Sequence, residues 1–287
     1  MRVLVTGAAG SIGSVVCSGL LDRGYDVLGL DRMVVPEGFA GTWFTADCAD
    51  PDAVDAVFTD ALRSGGLDAV VHLAGNPDEA SLPESLQSHV VTTGALLDAM
   101  VRHGVNRIVF ASSNHAVGRI ARTDLLGTGV PPRPDTFYGV GKVAAEALLS
   151  LYVDRYGMDA VATRIGTFHA QPESRRALST WLSHDDAVRM VEAALTTPDP
   201  GFAVIYGISA NTRAWWDLGP GHALGYHPQD DAEAFAGVVE QTPGTTDDEA
   251  EAAHVGGPMV GEAFFRPALD DHHASVAGQV EPPGHRP

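Results

Sequence analysis

The sequence predicts an α/β fold whose parallel β-sheet carries helices on both faces, a doubly wound arrangement. Short β-branched runs alternate with longer amphipathic segments over most of the 287 residues, which is the pattern of repeated βαβ units. Apolar residues make up 45% of the chain and charged residues 19%, the balance of a folded globular protein. A chain of this length forms one large domain or a core with a small appendage.

The predicted strands are short apolar runs bounded by turn residues, and the predicted helices are the longer amphipathic segments between them. The last helix has the clearest start, because Ser183 can cap it and Asp185 and Asp186 follow at its positive end. The strands span 2–6, 26–30, 42–45, 68–73, 106–110, 159–164 and 202–206. The helices span about 11–23, 51–63, 82–103, 137–157 and 184–196.

The regular alternation ends near residue 207, which divides the chain into three parts. Residues 1–206 form the α/β core. Residues 207–267 are predicted to form a small cap on the substrate side, in which Trp215 and Trp216 pack over the sheet edge. Residues 268–287 are polar and contain several prolines, which predicts a disordered tail.

Composition and charge exclude several classes of partner. A formal charge of −19 argues against nucleic acid and anionic membranes, which both need a basic patch. No run approaches the roughly 20 apolar residues of a membrane span. Two cysteines give no disulfide framework, and the chain begins directly with a strand that leaves no room for a signal peptide. We therefore expect a cytoplasmic protein. We also expect that it holds no metal ion and that it forms a homo-oligomer.

A glycine-rich turn follows the first strand directly and opens a helix. It contains Gly7, Gly10, Ser11, Ile12 and Gly13 in a G-x-x-G-x-x-G spacing. Glycine permits the tight turn and lets backbone N–H groups approach a pyrophosphate at the positive end of the helix. A strand before the turn and an amphipathic helix after it are the context of a Rossmann-type dinucleotide site.

The ends of the next strands supply further candidate cofactor residues. Asp31 ends strand two, where a carboxylate accepts hydrogen bonds from the adenosine ribose and repels a 2′-phosphate, so NAD is favoured over NADP. Arg32, next to it, is the feature that would weaken this preference. Strand three ends near Asp47 and Cys48, within reach of adenine. Strand four ends in small residues that let a cofactor lie against the backbone: Leu73, Ala74 and Gly75.

The one lysine of the chain, Lys142, stands four residues after Tyr138. Seventeen arginines carry the rest of the positive charge, so the lone lysine indicates a task that needs a compact charge with an adjustable pKa. Residues four apart share a helix face, and Lys142 is therefore expected to lower the pKa of the Tyr138 phenol. Ser113, after strand five, faces the same crevice. Together the three residues predict proton transfer from a carbinol, with Ser113 holding the substrate oxygen.

The glycine turn, Ser113 and the Tyr-x-x-x-Lys pair resemble the extended short-chain dehydrogenases/reductases. A narrower resemblance, to uronate dehydrogenases, covers about residues 1–266. It is carried by 111–115, 133–135, 164–166, 209–211 and 215–217, and above all by the Ser-Thr-Trp run within 178–186. This family oxidises the C1 hydroxyl of cyclic galacturonate or glucuronate to an aldarolactone with NAD as hydride acceptor.

The resemblance also implies the substrate residues. Arg176 would hold the uronate carboxylate, since a guanidinium fork pairs with both carboxylate oxygens. Asn76 stands where the family typically has a serine, and Thr167 replaces a serine but keeps its hydroxyl. The remaining residues placed around the sugar are Ser113, Asn114 and His115. Ile165 is assigned to the cofactor site together with Tyr138 and Lys142.

The sequence leaves the exact sugar open. Parts of the chain also resemble NAD-dependent sugar-phosphate dehydrogenases of salt-loving archaea, and Arg175 with Arg176 would serve a phosphate as well as a carboxylate. The first alternative is therefore a hexose-phosphate dehydrogenase acting on glucose 6-phosphate. A non-catalytic NAD-sensing regulator is disfavoured by the complete serine, tyrosine and lysine set. A nucleotide-sugar epimerase is disfavoured because the region after 207 is short.

Overall fold

The computed structural model describes residues 1–123, 125–242, 252–261 and residue 264. The predicted tail at 268–287 lies outside the described residues, as does part of the predicted cap at 207–267. The division into core, cap and tail stays a prediction. No helix in the described parts of the chain is long and apolar enough to cross a membrane.

A seven-stranded parallel sheet forms the centre of the fold, in the order β3-β2-β1-β4-β5-β6-β9. The doubly wound α/β prediction is confirmed, and the predicted strands agree with this sheet to within three residues at each end. A separate short pair, β7 and β8, is also parallel. The strands are β1 (Arg2–Thr6), β2 (Asp26–Asp31), β3 (Thr42–Thr45), β4 (Ala69–His72), β5 (Arg107–Ser113), β6 (Asp159–Ile165), β7 (Thr167–Phe168), β8 (Trp181–Leu182) and β9 (Phe202–Gly207).

Helices connect the strands, and three of the five longest begin at a residue whose side chain caps them. Asp50 accepts from two backbone N–H groups of α2, Thr136 from Gly139 of α5, and Ser183 from Asp186 of α7. The helices are α1 (Ser11–Asp22), α2 (Pro51–Arg63), α3 (Leu82–Leu86), α4 (Thr92–His103), α5 (Phe137–Tyr156), α6 (Ala177–Thr180), α7 (His184–Thr196), α8 (Gly219–Ala223) and α9 (Ala236–Val239).

Apolar side chains are buried on both faces of the sheet, as expected for parallel strands covered by helices. Val3 and Val5 of β1 pack with α1 and α7 on one face. Leu4 packs with α2, α4 and α5 on the other. The strand order reverses between β1 and β4, which are hydrogen-bonded neighbours. In open α/β sheets a ligand crevice forms at such a reversal.

The segment predicted as one helix over 82–103 is divided by a π-helical turn at Gln87–Val91. The wider turn inserts an extra residue between α3 and α4. It buries His89, whose ring lies edge-on to Tyr138 with 5.0 Å between centroids. Apolar periodicity cannot show a shift of one hydrogen bond, and this turn was therefore not predicted.

Beyond β9 the chain packs back on the sheet edge. Trp216 stacks on Tyr206 with ring centroids 5.1 Å apart, and Trp215 lies against Trp216. Both tryptophans are buried, in a cluster that also contains Val117 and Val255. The predicted packing of these tryptophans is thus found, and the same cluster brings Val255 next to the turn that follows β5.

A buried carboxylate clamps this region to α7. Asp186 is fully buried, and its two oxygens accept from the backbone N–H groups of Gln229 at 2.8 Å and Asp230 at 3.0 Å. Arg189 donates to the same carboxylate at 2.6 Å. These bonds fix the loop that leads to the last described helices.

Asp186→Asn should lower the free energy of unfolding by about 3 kcal/mol, because an amide cannot accept from both backbone N–H groups and leaves Arg189 without its buried charge partner. The measurement is urea denaturation followed by fluorescence. Asp185→Asn is the matched control, since this neighbouring aspartate is exposed, and it should change stability by less than about 0.5 kcal/mol. Equal stabilities of the two variants would contradict the clamp.

Candidate active site

A cleft of about 770 Å³ opens beside the strand reversal, at the carboxyl ends of β1, β2, β3 and β4. Backbone and small side chains form much of its wall. The predicted cofactor and substrate residues that line it are Gly7, Gly10, Asp31, Arg32, Asp47, Cys48, Leu73, Ala74, Gly75 and Asn76.

At Gly7 and Gly13 the glycine turn is packed so closely that a side chain would not fit. Gly7 has a φ of +68°, and a Cβ there would lie 2.7 Å from the backbone nitrogen of Ala74. A Cβ on Gly13 would lie 2.0 Å from the Gly7 carbonyl oxygen. The first turn of α1 is therefore held directly against the strand-end loops. A pyrophosphate fits this kind of turn, since the backbone can approach it closely.

Asp31 is fixed at the end of β2 by two backbone N–H groups. Ala9 donates to one carboxylate oxygen and Met33 to the other, each at 3.0 Å. The carboxylate is thus tied to the glycine turn, and each oxygen keeps a lone pair for a ribose hydroxyl. The glycine turn, the carboxylate and the cleft together fit an NAD molecule.

Other predicted cofactor residues do not line this cleft. Ser11, Ile12 and Gly13 form the first turn of α1, where backbone N–H groups lie free of side-chain caps because Gly10 precedes them. Ile165 is a buried core residue at the end of β6. Tyr138 and Lys142 lie on α5, next to the carboxyl end of β5.

The start of α5 is held from both sides, and this fixes Tyr138. Thr136 accepts from Gly139 at 2.9 Å. Glu79 accepts from the backbone N–H groups of Phe137 and Tyr138, each at 2.9 Å. A carboxylate at this helix terminus also interacts favourably with the helix dipole.

Lys142 is buried and donates to the carbonyl of Ala111 at 2.8 Å. Its Nζ lies 5.4 Å from the centre of the Tyr138 ring and 5.1 Å from that of Phe110. Burial lowers the pKa of Lys142 to about 7, against the opposing effect of Glu146. The predicted adjacency of Tyr138 and Lys142 is therefore found.

The pKa of Tyr138 was predicted to be lowered, but the protein groups around the phenol raise it. The side chain keeps a partial exposure, yet burial of the phenol raises its pKa to about 12. A hydrogen bond with Ser113 lowers the pKa, and the charge of Asp135 raises it. Desolvation therefore outweighs the Ser113 hydrogen bond at this phenol.

Three residues predicted to contact the sugar lie at the carboxyl end of β5: Ser113 is its last residue, and Asn114 and His115 follow it. Ser113 is buried and accepts from the backbone N–H of His115 at 3.2 Å. His115 bonds through Nδ1 to Asp135 at 2.9 Å, and the Asp135 side chain has no exposed surface. A carboxylate on Nδ1 fixes the imidazole orientation and leaves Nε2 as the nitrogen able to meet a ligand.

Arg176 is connected to these residues through Val255. Its Nη2 donates to the Val255 carbonyl, which also accepts from Asn114 Nδ2 at 3.3 Å. The guanidinium carbon lies 5.7 Å from the centre of the Trp215 ring. The predicted arginine and asparagine are thus connected through one carbonyl group.

The two remaining predicted substrate residues are placed differently. The hydroxyl groups of Thr167 and Thr180 form a hydrogen bond of 2.8 Å. Thr180 lies one helical turn after Arg176. Asn76 is exposed at the cleft rim, where its backbone N–H donates to Ser88 at 2.7 Å. In the described ranges, no group of three or more histidine, cysteine or acidic residues is arranged to hold a metal ion.

Sequence reasoning missed Glu79, Asp135 and Val255 as parts of this site. Asp135 could have been found from the sequence. It precedes Thr136, which caps α5, and it belongs to the run 133–135 that carries the family resemblance. Glu79 accepts a hydrogen bond from Phe137, which lies 58 positions later in the chain. Val255 contributes only its backbone carbonyl group. No sequence pattern marks either of the last two.

Known proteins match this chain along most of its length. The model of the NAD dependent epimerase/dehydratase family matches residues 3–184. A uronate dehydrogenase of Pseudomonas syringae pv. tomato is 37% identical over 92% of this chain and 94% of that enzyme. An NAD-dependent glucose-6-phosphate dehydrogenase of Haloferax volcanii is 35% identical over 81% of this chain and 95% of that enzyme.

Solved structures agree with this result. A crystal structure of uronate dehydrogenase from Agrobacterium tumefaciens superposes with a TM-score of 0.83 at 38% identity, covering 92% of this chain and 98% of that one. A tyrosine-to-alanine mutant of the Agrobacterium tumefaciens enzyme complexed with NAD has a TM-score of 0.82 at 38% identity, over 90% and 96% of the two chains. The chain belongs to the NAD dependent epimerase/dehydratase family and, within it, to the uronate dehydrogenases.

Proposed function

We propose that this protein oxidises the C1 hydroxyl of cyclic galacturonate or glucuronate to the aldarolactone, with NAD as the hydride acceptor. The observation that carries the proposal is the Val255 carbonyl, which accepts from both Arg176 and Asn114. It links a guanidinium suited to a carboxylate with the residue that follows Ser113. The proposed carboxylate partner is therefore connected, through Val255 and Asn114, to the end of the strand that carries Ser113.

Each residue of the set has a role in this reaction. Tyr138 takes the proton of the C1 hydroxyl as general base, and Ser113 holds the oxygen from which that proton leaves. Lys142 stabilises the phenolate. NAD, when bound, accepts the hydride from C1, so that the hemiacetal carbon becomes the carbonyl carbon of a lactone. Arg176 holds the carboxylate at the other end of the sugar ring.

The glycine turn and Asp31 support NAD as the cofactor. The glycine turn holds the first turn of α1 close to the cleft, where backbone N–H groups meet a pyrophosphate. Asp31 stands where the adenosine ribose binds in such folds. Arg32 is exposed beside it, whereas the Asp31 carboxylate is held by the backbone N–H groups of Ala9 and Met33.

The hexose-phosphate alternative is supported by the Haloferax relative but less by the geometry. A phosphate would draw on both Arg175 and Arg176. Arg175 is exposed and donates to the Glu240 carbonyl at 3.4 Å, so only Arg176 is joined to the Asn114 side of the site. One guanidinium fork suits a carboxylate.

Further expectations from the sequence accompany this proposal. The substrate is a small sugar acid, and the complete serine, tyrosine and lysine set favours an enzyme over an NAD-sensing regulator. A cytoplasmic location and a homo-oligomer stay predictions.

Tyr138→Phe should reduce kcat by on the order of 10²- to 10⁴-fold, because phenylalanine keeps the ring but cannot accept the proton. NAD affinity should be retained, as measured by calorimetry. Tyr156→Phe is the control on the same helix, since Tyr156 is 51% exposed, and it should keep normal turnover. Turnover of Tyr138→Phe within a factor of two of the parent would reject Tyr138 as the base.

Asp31→Ala should narrow the preference for NAD over NADP, because it removes the ribose hydrogen bonds and the repulsion of a 2′-phosphate. The ratio of kcat/KM for the two cofactors is the measurement. Asp26→Ala changes an exposed aspartate at the other end of β2 and should leave the ratio unchanged. A parent enzyme that uses NADP better than NAD would contradict the role of Asp31.

Arg176→Lys should raise KM for galacturonate and glucuronate by on the order of 10-fold or more, because an ammonium cannot form two parallel bonds to a carboxylate. NAD affinity should change little. Arg175→Lys is the adjacent control and should behave like the parent enzyme. A parent enzyme inert on both uronates but active on glucose 6-phosphate would reject the uronate proposal in favour of the phosphate alternative.

A further inference from the structure

One face of α5 carries a third ionisable residue beyond the tyrosine and lysine. Tyr138, Lys142 and Glu146 are spaced four apart and so lie along the same face. Lys142 and Glu146 are 5% and 6% exposed. Glu146 lies one helical turn after Lys142. Burial of a charged group is costly unless the group is paired, so this carboxylate requires a partner.

The last three residues of β5 each form a hydrogen bond with one of these three helix residues. Ala111 accepts from Lys142 at 2.8 Å. Ser112 donates to Glu146 Oε1 at 2.5 Å. Ser113 hydrogen-bonds Tyr138. Three successive strand residues thus contact the three residues that share this helix face.

Arg164 of β6 completes the arrangement. Its Nε donates to Glu146 Oε1 at 3.0 Å and its Nη2 to Oε2 at 2.8 Å. The guanidinium is also buried, and its Nη1 donates to the Thr128 carbonyl at 3.3 Å. A guanidinium fork on both carboxylate oxygens is the arrangement of an ionised pair.

We propose that Glu146, held by Arg164 and Ser112, is a positioning residue that keeps Lys142 in its charged form beside Tyr138. Glu146 touches neither substrate nor cofactor in this account and acts only through Lys142. The inference rests on the proposed roles of Tyr138 and Lys142. It adds a specific source for the lysine charge, which burial by itself would remove.

The groups around Lys142 show why this carboxylate matters. His72 of β4 and His89 of the π turn have pKa values lowered to about 3 by burial and by Lys142, so both are neutral at physiological pH. The contact from β5 is the Ala111 carbonyl, and Asp135 acts on Tyr138 instead. Glu146 is the charged group that raises the pKa of Lys142.

The charge of Lys142 therefore depends on Glu146 as well as on burial. With Glu146 present, burial already lowers the pKa of Lys142 to about 7. Loss of the carboxylate charge would lower it further, because burial would then act alone and the Arg164 charge would be uncompensated. A neutral lysine at pH 7 cannot stabilise the phenolate, and Tyr138 would ionise only at higher pH.

The single lysine of the chain makes a direct test possible. Full-length protein labelled with carbon-13 at lysine Cε gives one side-chain resonance, and its titration by NMR reports Lys142 alone. The parent protein should titrate near pH 7. In Glu146→Gln, which keeps the shape but removes the charge, the midpoint should fall by about one pH unit or more.

Enzyme kinetics provide a second measurement of the effect of Glu146. In Glu146→Gln, kcat for uronate oxidation at pH 7 should fall by on the order of 10-fold, and the rising limb of kcat against pH should move to higher pH. KM for NAD and for the uronate should stay nearly constant, because Glu146 contacts neither. The NMR reading needs no turnover, so it tests the inference even if the proposed substrate is wrong.

Two further variants separate this effect from lost stability. Asp159→Asn breaks the partly buried pair of Arg107 and Asp159, joined at 2.9 Å at the opposite end of the sheet, and should destabilise the protein without moving the Lys142 midpoint. The double variant Glu146→Gln with Arg164→Gln removes both charges, avoids an unpaired buried arginine and should still show the lower midpoint. A parent-like midpoint in folded Glu146→Gln and in the double variant would overturn the inference.

Discussion

Lys142 donates one hydrogen bond to the Ala111 carbonyl in a pocket closed by the rings of Phe110 and Tyr138. Burying an ammonium group costs several kcal/mol unless nearby groups compensate it, and this requirement constrains the catalytic half of the molecule. Helix α5 has to lie directly on the carboxyl end of β5, in one register. The same contact places Tyr138 beside Ser113.

The sugar side depends on segments that are far apart in the chain. Asp135 orients His115 and also accepts from Thr136, the residue that caps α5. The chain near residue 255 returns to the same place, where Gly256 donates to the Gly118 carbonyl at 2.9 Å. Its neighbour Val255 supplies the carbonyl that joins Arg176 to Asn114. The residues predicted for proton transfer and for the carboxylate are therefore connected at the end of β5.

Much of this was predictable from sequence, because strand and helix periodicity, helix caps and the four-residue spacing of Tyr138 and Lys142 are local properties. The π turn was not, since it shifts hydrogen bonds without changing the apolar pattern. The carboxylate of Glu79 and the carbonyl of Val255 reach the site only through the tertiary fold. The pKa of Tyr138 was predicted in the wrong direction, because spacing shows which charge is near but not how deeply the phenol is buried.

The central claim is that hydride leaves C1 of a cyclic uronate for NAD as Tyr138 takes the hydroxyl proton. The most direct measurement uses glucuronate and galacturonate carrying deuterium at C1, with mass spectrometry of the reduced cofactor and NMR of the product. The account predicts that deuterium is found in the reduced cofactor and that the product is the aldarolactone. Reduced cofactor without deuterium, or a product that keeps deuterium at C1, would contradict it.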